Sequence, residues 1–366
     1  MRGSALLSLL AALPSASAFI KGFNIGANNP DGSCKTQAEW QKAFTQLNGL
    51  PSGPFNSVRL FASSDCNTLA NAVPAAIATG TKLLVGVWTA DDAHFGAEKA
   101  ALINAISAYG SGWILAVSVG SEVGYRKELP AWKMAQQIYD VRGMVRSMGV
   151  SAPVGAVDTW TTWVDGQYTD VITACDFVGT DGYPYWQGST PEQASGVFWQ
   201  SVNVVRDRVN AVKVRLFLRI KKIIVLSGGG FDGPGLGGCS RRVFRGCAVP
   251  VPGTLPWLLI YTHVYTREKG QKIFLMLHLS IGLYADQITL QPGTPVWVTE
   301  TGSPVSGDSF GAAVPSIANA QSYWSTVACA AFSQVDIFWY AYQDYNSNPS
   351  FGVIGANGQP LYNLAC

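Results

Sequence analysis

Apolar segments of two kinds alternate along most of the chain. Short runs rich in β-branched and aromatic residues, typical of buried strands, are separated by longer stretches with helical spacing. The strand-like runs cover 20–25, 57–61, 82–88, 114–119, 154–157, 177–180, 296–299 and 337–340. The helix-like stretches cover about 37–48, 67–79, 96–109, 130–148, 166–174, 191–213 and 316–333. Eight strands separated by helices predict an α/β protein with the (β/α)8 TIM-barrel fold rather than an open doubly wound sheet.

The first 18 residues lie outside this alternation. Arg2 is followed by an apolar run over 5–13 and then by the small residues Ala16, Ser17 and Ala18. This order is typical of a secretory signal peptide, so we expect the mature chain to begin at Phe19 and to be secreted to the medium or the cell wall. The apolar run is too short to span about 30 Å of hydrocarbon, and the chain ends without a lipid-anchor tail. We therefore expect no membrane association.

Residues 214–291 also break the pattern. They hold ten Lys or Arg against three Asp or Glu, and their apolar clusters show no clean helical or strand period. Three interpretations are open: an inserted subdomain, a basic surface module, or an intron translated in frame. We favour the intron, because Val214 and Arg215 can be encoded by a splice-donor sequence and Gln291 by a terminal CAG. One barrel is then formed by 19–213 and 292–366, with a long atypical insertion before strand seven.

The position of that insertion has a consequence for the barrel. A helix-to-strand connection lies on the amino-terminal face, opposite the face where enzymes of this fold carry their active sites. We therefore expect residues 214–291 to leave the active-site face open.

The composition agrees with a large globular domain of 48% hydrophobic and 13% charged residues with a net charge of +2. We expect a monomer and no nucleic-acid partner. Twelve Trp and 14 Tyr are more than a core requires. Aromatic rings with a polar tip suit a groove that is apolar on one side and wet on the other, as in sugar binding.

Two glutamates follow strand-like runs. Glu300 ends the run that begins at Trp297, and Glu122 ends the run that begins at Ile114. Each carboxylate alone could cap a helix or form a salt bridge. Two carboxylates at the carboxyl ends of strands four and seven are, however, the minimum set for glycoside hydrolysis, and this end of a TIM barrel is where active sites lie.

Five short motifs carry a resemblance to a known family. They are 22–24 (Gly-Phe-Asn), 58–60 (Val-Arg-Leu), 119–122 (Val-Gly-Ser-Glu), 181–184 (Asp-Gly-Tyr-Pro) and 297–302 (Trp-Val-Thr-Glu-Thr-Gly). Together they resemble glycoside hydrolase family 17, in the branch of fungal cell-wall β-1,3-glucanases and glucanosyltransferases. The resemblance covers 19–213 and 292–366. It implies that Glu122 is the acid/base, that Glu300 is the nucleophile and that Tyr183 contacts Glu300.

Two positions depart from the pattern of that family. Ser121 stands where the wider clan has Asn before the acid/base, and Gln343, Asp344 and Tyr345 stand where many members have Phe-Asp-Glu. The candidate substrate-binding residues, which lie at or after strand ends, are Arg59, Ser121, Trp160, Tyr183, Tyr185, Trp186, Tyr340, Tyr342 and Asp344.

The resemblance implies a retaining glycosidase that acts on β-1,3-glucan, by hydrolysis or by transglycosylation, in cell-wall remodelling. Retention requires the two carboxyl groups to lie about 5–5.5 Å apart. The alternative is a wall protein that binds glucan without cleaving it, which the two intact glutamates disfavour.

The cysteines outside 214–291 suit an oxidising compartment. Cys34 and Cys66 follow adjacent strands and can pair, and Cys329 can pin the terminal Cys366, which leaves Cys175 as a buried thiol. We expect no metal and no cofactor, because His94 is the only histidine outside the insertion and no His/Cys cluster has ligand spacing. Asp91 and Asp92 are expected to cap the helix that follows them.

Overall fold

The computed structural model describes residues 19–228, 247–248, 259–261, 280–281, 293–344 and 347–366. The signal peptide predicted for 1–18 lies outside these residues, and so does most of the segment 214–291. The position expected for that segment, on the amino-terminal face of the barrel, therefore concerns residues that lie mostly outside the described ones. The chain separates into two compact units, one formed by 1–213 with 293–366 and the other by 214–292.

Eight parallel strands of the first unit close into a barrel, which confirms the predicted fold. In chain order the described strands of both units are β1 (Lys21–Asn24), β2 (Ser57–Arg59), β3 (Lys82–Val87), β4 (Ile114–Ser121), β5 (Val154–Thr159), β6 (Val178–Asp181), β7 (Cys247–Ala248), β8 (Leu259–Tyr261), β9 (Ser280–Ile281), β10 (Val296–Thr301) and β11 (Ile337–Trp339). The order around the barrel is β1-β11-β10-β6-β5-β4-β3-β2. The short strands β7, β8 and β9 form an antiparallel sheet in the second unit.

Helices follow the barrel strands as the apolar spacing predicts. They are α1 (Gln37–Asn48), α2 (Thr68–Thr79), α3 (Asp92–Tyr109), α4 (Ala131–Ser147), α5 (Trp160–Val164), α6 (Thr169–Ala174), α7 (Pro191–Gly228), α8 (Ile317–Tyr323) and α9 (Cys329–Ala331), with a π turn at Trp324–Ala328. Among the described residues, no helix combines the length and the apolarity that a membrane crossing requires.

The short helix α5 was not predicted, and two helix boundaries differ from those expected by four residues or more. The end predicted at 213 for α7 is wrong, because no Gly or Pro interrupts 214–227 and the backbone stays helical up to Gly228. Helix α3 begins at Asp92 rather than at 96, since the Asp91 side chain accepts a hydrogen bond from the His94 N–H at 2.8 Å. Asp91 is thus the N-cap that we expected. Asp92 is the first helical residue instead and pairs with Lys133 at 3.2 Å.

The barrel interior has an apolar floor. Side chains from several strands meet there, and the rings of Phe177 and Trp297 stack with centroids 4.3 Å apart. Burial of large aromatic rings is a main source of stability in such a core. Nearer the carboxyl ends of the strands the buried side chains become polar, with Asn24, Arg59 and Thr299 among them. The polar layer therefore lies on the face where active sites of this fold occur.

The cysteine predictions are confirmed. Cys34 pairs with Cys66 and Cys329 pairs with Cys366, with Cα–Cα distances of 5.1 and 5.4 Å. Cys175 is a buried free thiol, and burial raises its pKa to about 11. A thiol that stays protonated in this way is a packing element rather than a nucleophile.

Candidate active site

Glu300 is held from one side by a buried arginine. Arg59, the last residue of β2, has no exposed surface and forms a salt bridge through Nη1 with Oε1 of Glu300. The same Nη1 donates to Oδ1 of Asn24 at 2.8 Å, and Nη2 donates to Oγ of Ser121 at 2.9 Å. One guanidinium thus ties together the ends of β1, β2, β4 and β10. Its planar fork of donors suits this task better than a lysine would.

The other oxygen of Glu300 is held by a tyrosine. The hydroxyl of Tyr183 donates to Oε2 at 2.8 Å, which is the contact that the family resemblance implied. The Tyr183 ring packs edge-on against Tyr340 and Phe351, with centroids 5.9 and 5.4 Å away. Burial and the charge of Glu300 raise the pKa of Tyr183, so its hydroxyl keeps its proton and remains a donor. Both carboxylate oxygens therefore have fixed partners.

Asp181, at the end of β6, is a third buried carboxyl group. Thr299 donates from Oγ1 to Asp181 Oδ1 at 2.8 Å, whereas Asp181 Oδ2 has no hydrogen-bond partner among the described residues. Burial, together with the neighbouring charge of Glu300, raises the pKa of Asp181 well above its ordinary value. A neutral Asp181 leaves Arg59 to Glu300, because a second buried anion would compete for the same cation.

Glu122 lies in a different setting. It follows β4 on a turn, with a left-handed φ of 53°, and its N–H donates to the carbonyl of Val157 at 3.0 Å. Its side chain is 26% exposed, and Oε2 lies 3.3 Å from Nη1 of Arg126. Burial and then the charge of Glu300 raise the pKa of Glu122 to about 7, against the opposing effect of Arg126. Glu122 is therefore protonated in mildly acidic solution and can act as an acid.

Several predicted site residues surround this pair of glutamates. Ser121 and Tyr183 belong to the network around Glu300, and the ring of Tyr340 packs on Tyr183. Arg59 also belongs to it, but it lies fully buried and binds Glu300 and Ser121 rather than facing a groove. Trp186 is 47% exposed, and its ring lies 5.5 Å from that of Phe310.

The remaining predicted residues make other contacts. Tyr185 is buried and donates to the carbonyl of Asp308 at 2.5 Å, and Tyr342 is buried and donates to Gln46 Oε1 at 2.6 Å. Trp160 is partly buried against the core, and Asp344 accepts from the N–H of Phe351 at 3.2 Å. These contacts stabilise helix α1 and the loops at the rim, so packing accounts for the positions of these side chains.

Several side chains around the two glutamates were not predicted from the sequence. Asn24 lies in a motif quoted for the family, but its amide also donates to the carbonyl of Thr299 at 3.0 Å, a contact that no spacing reveals. Arg126 lies four residues after Glu122, although no helix is predicted there. Phe310 comes from the irregular segment after β10 and was not singled out.

Three side chains of ligand type come together although their positions in the sequence show no ligand spacing. Ligand atoms of Asp65, His94 and Glu98 lie within 4.8 Å of one another in the described part of the chain. They come together because His94 and Glu98 are four residues apart on α3, while Asp65 follows β2. Glu98 already accepts hydrogen bonds from the N–H groups of Ser63, Ser64 and Trp88 and from the Ser64 hydroxyl. It therefore links the loop after β2 to the loop after β3.

The family profile of the BtgE/BtgC glycoside hydrolase domain matches residues 22–217, more than half of the chain. The chain belongs to this family. A probable glucan endo-1,3-beta-glucosidase of Aspergillus fumigatus is 32% identical over 390 aligned positions, which cover all of this chain and 70% of that protein. A glucan 1,3-beta-glucosidase of Schizosaccharomyces pombe is 39% identical over 195 residues, 52% of this chain and 59% of that protein.

A solved structure shares the fold of this family member. The glycoside hydrolase family 17 β-1,3-glucanosyltransferase of Rhizomucor miehei superimposes with a TM-score of 0.62 at 20% identity, over 94% of this chain and 98% of that one. An active-site mutant of the same enzyme has been crystallised with laminaritriose. The family profile and the fungal relatives confirm the predicted membership of the fungal glycoside hydrolase branch.

Proposed function

We propose that this protein cleaves β-1,3-glucan with retention of configuration, with Glu300 as nucleophile and Glu122 as acid/base. The observation that carries the proposal is the contrast between the two carboxyl groups. Glu300 is ion-paired with Arg59 and accepts from Tyr183, whereas the pKa of Glu122 is about 7. A carboxylate held by fixed partners beside a second carboxyl group of raised pKa is the arrangement that a retaining glycosidase needs. The names of the fungal relatives supply the substrate class.

The reaction has two steps on these groups. In the first, Glu122 gives its proton to the leaving glycosidic oxygen while Glu300 Oε attacks the anomeric carbon and forms a glycosyl ester. In the second, Glu122 takes a proton from the incoming hydroxyl, whose oxygen displaces Glu300 from the anomeric carbon. Water as the acceptor gives hydrolysis, and a second glucan gives transfer.

The charge of Glu300 changes between the two steps, and this change alters the pKa of Glu122. Glu300 loses its negative charge when it becomes an ester, and that charge is one of the causes that raise the pKa of Glu122. Formation of the ester therefore lowers the pKa of Glu122, which keeps Glu122 deprotonated and available as the base of the second step. Neighbouring Arg59 and Tyr183 then remain to receive the carboxylate when it is released.

We assign the sugar contacts to exposed or half-buried aromatic residues at the rim. Trp186, with Phe310 beside it, presents an apolar face, Tyr183 contacts Glu300, and Tyr340 packs on Tyr183. Aromatic faces bind the apolar CH surface of a glucose ring. Trp160 and Asp344 are proposed to contact sugar through the parts of their side chains that remain accessible.

The stereochemistry of the first product tests the proposed reaction. Laminari-oligosaccharides incubated with the protein should yield, within the first turnovers, a new reducing end in the β configuration by proton NMR. A new α reducing end would contradict retention. Tight binding with neither a new reducing end nor oligosaccharides of altered length would establish the alternative, a wall protein that binds glucan.

We propose further that residues 1–18 direct secretion to the cell wall, where the protein is a monomer. We also propose that residues 214–291 are an intron translated in frame. Amino-terminal sequencing of the secreted protein should begin at Phe19. A transcript that joins the codons for Lys213 and Pro292 directly is expected, and transcripts that all retain the segment would refute the intron.

A further inference from the structure

Arg126 makes four contacts around the turn that carries Glu122. Its Nη1 lies 3.3 Å from Glu122 Oε2, and its Nη2 donates to the carbonyl of Ser121. Its Nε donates to Glu128 Oε1 at 2.6 Å, and its guanidinium lies 5.3 Å from the ring centroid of the half-buried Trp88. The guanidinium is therefore anchored by a carboxylate and a ring, and it presents its remaining donors to the end of β4.

The backbone of the same turn needs such an anchor. Glu122 has a left-handed φ of 53°, a conformation that is unfavourable for residues other than glycine. Its carbonyl accepts from the N–H of Arg126 at 3.0 Å, and the Asp158 carboxylate accepts from the N–H of Gly124 at 2.8 Å. Strained residues persist where the surroundings overdetermine them, and they cluster at functional sites. The Glu122 turn has this character.

We propose that Arg126 is a positioning residue for Glu122: its anchored guanidinium holds the acid/base side chain toward the glycosidic oxygen and places a positive charge beside it. This inference rests on the proposed role of Glu122. It assigns to Arg126 a task that differs from that of Arg59, which binds the nucleophile. The contact is available to solvent, since the Arg126 side chain is 35% exposed, so its electrostatic effect is moderate.

The direction of that effect follows from the groups that face Glu122. From the neighbouring strands and the loops that follow them these are Glu300, Asp158, Asp181, Arg59 and Tyr340. Glu300 and Asp158 raise the pKa of Glu122, and Arg126 lowers it more than Arg59 does. Removal of Arg126 therefore raises the pKa of Glu122 further, and the acid form persists to higher pH.

The test is the pH dependence of kcat/KM for laminari-oligosaccharides in the full mature protein. In Arg126→Gln the basic limb of the profile should move up by about half a pH unit or more. The maximum should fall by about tenfold, because a mispositioned acid transfers its proton less well. Lys127→Gln is the matched control, since it removes the same charge at the neighbouring exposed position. Its profile should follow that of the wild type.

Arg126→Lys separates charge from position. It keeps the cation, so the basic limb should return toward the wild-type pH, whereas kcat/KM should recover only in part because an ammonium cannot hold three partners in a fixed fork. An Arg126→Gln profile that superimposes on the wild type, or that moves to lower pH, would overturn the inference. Should Arg126→Gln not fold, full activity in Arg126→Lys would overturn the positioning role.

A separate measurement keeps this inference distinct from the proposed function. Glu122→Gln should lose most of its activity on laminari-oligosaccharides. If it does so while Arg126→Gln behaves as the wild type, only the role of Arg126 is wrong. If Glu122→Gln retains wild-type activity, the role of Glu122 itself is wrong.

Discussion

The two glutamates lie on opposite sides of one site and are built in opposite ways. Glu300 belongs to strand β10, is 8% exposed and has a fixed partner on each oxygen. Glu122 lies on a turn after β4, is about a quarter exposed in its side chain and is held by a half-exposed arginine. The proposed nucleophile is thus carried by a barrel strand, and the proposed acid/base lies on a turn that is open to solvent.

This difference teaches how one barrel supports two carboxyl groups with different tasks. Burial costs least for a charge that is paired and fully hydrogen-bonded, which is the setting of Glu300. Burial and a neighbouring negative charge raise a carboxyl pKa where the ion pair is partly exposed, which is the setting of Glu122 beside Arg126. The following substitutions test each side of the comparison, starting with the largest expected effect.

The first prediction compares the two amide variants. Glu300→Gln should lower kcat/KM for laminari-oligosaccharides by about 10⁵-fold or more, because no ester can form. Glu122→Gln should lower it by about 10²–10⁴-fold, the usual contribution of a general acid. With an aryl glycoside whose leaving group needs no proton, Glu122→Gln should recover its first step and Glu300→Gln should not. Equal losses on both substrates in the two variants would contradict the division of roles.

The second prediction compares the two arginines in stability. Arg59→Gln leaves a buried Glu300 carboxylate without its cation and should lower the free energy of unfolding by about 3–5 kcal/mol. Arg126→Gln removes a partly exposed ion pair and should cost no more than about 1 kcal/mol. Denaturant unfolding of the two variants measures both values. A larger cost for Arg126→Gln than for Arg59→Gln would refute the contrast between a buried and an open side.

The third prediction concerns Asp181, whose pKa is raised by burial and by the charge of Glu300. Its folded pKa is raised, so the protein gives up stability as the pH rises above the unfolded pKa of the carboxyl group toward the folded one. Asp181→Asn cannot ionise and escapes this loss. The variant should therefore become increasingly more stable than the wild type as the pH rises above about 4, the ordinary pKa of an aspartate. A variant that loses stability relative to the wild type over that range would show that Asp181 is ionised.

The fold and the two glutamates could be predicted because both leave local signals in the sequence. Buried strands of a TIM barrel are short apolar runs, and a carboxylate directly after such a run faces the site. The cysteine pairs were predictable for a similar reason, since the order of the strands places Cys34 beside Cys66.

Which aromatic residues are buried and which are exposed could not be predicted from such local signals. Tyr185 and Trp186 are neighbours in the chain, yet Tyr185 is buried and Trp186 is exposed. Which ring faces the groove depends on the path of the loop after β6 and on partners such as Asp308, which is far away in sequence. The contacts of Arg126 were also hidden, because they depend on a turn with left-handed residues rather than on a regular element.

The central claim is that the negative charge of Glu300 helps to keep the proton on Glu122. Carboxyl carbon-13 NMR tests this claim most directly. The Glu122 signal, identified by its loss in Glu122→Gln, should titrate with a pKa of about 7 in the wild type. In Glu300→Gln, where the neighbouring charge is absent, the pKa should fall clearly toward the ordinary value of 4.5. A wild-type pKa near 4.5, or a pKa that Glu300→Gln leaves unchanged, would contradict the account.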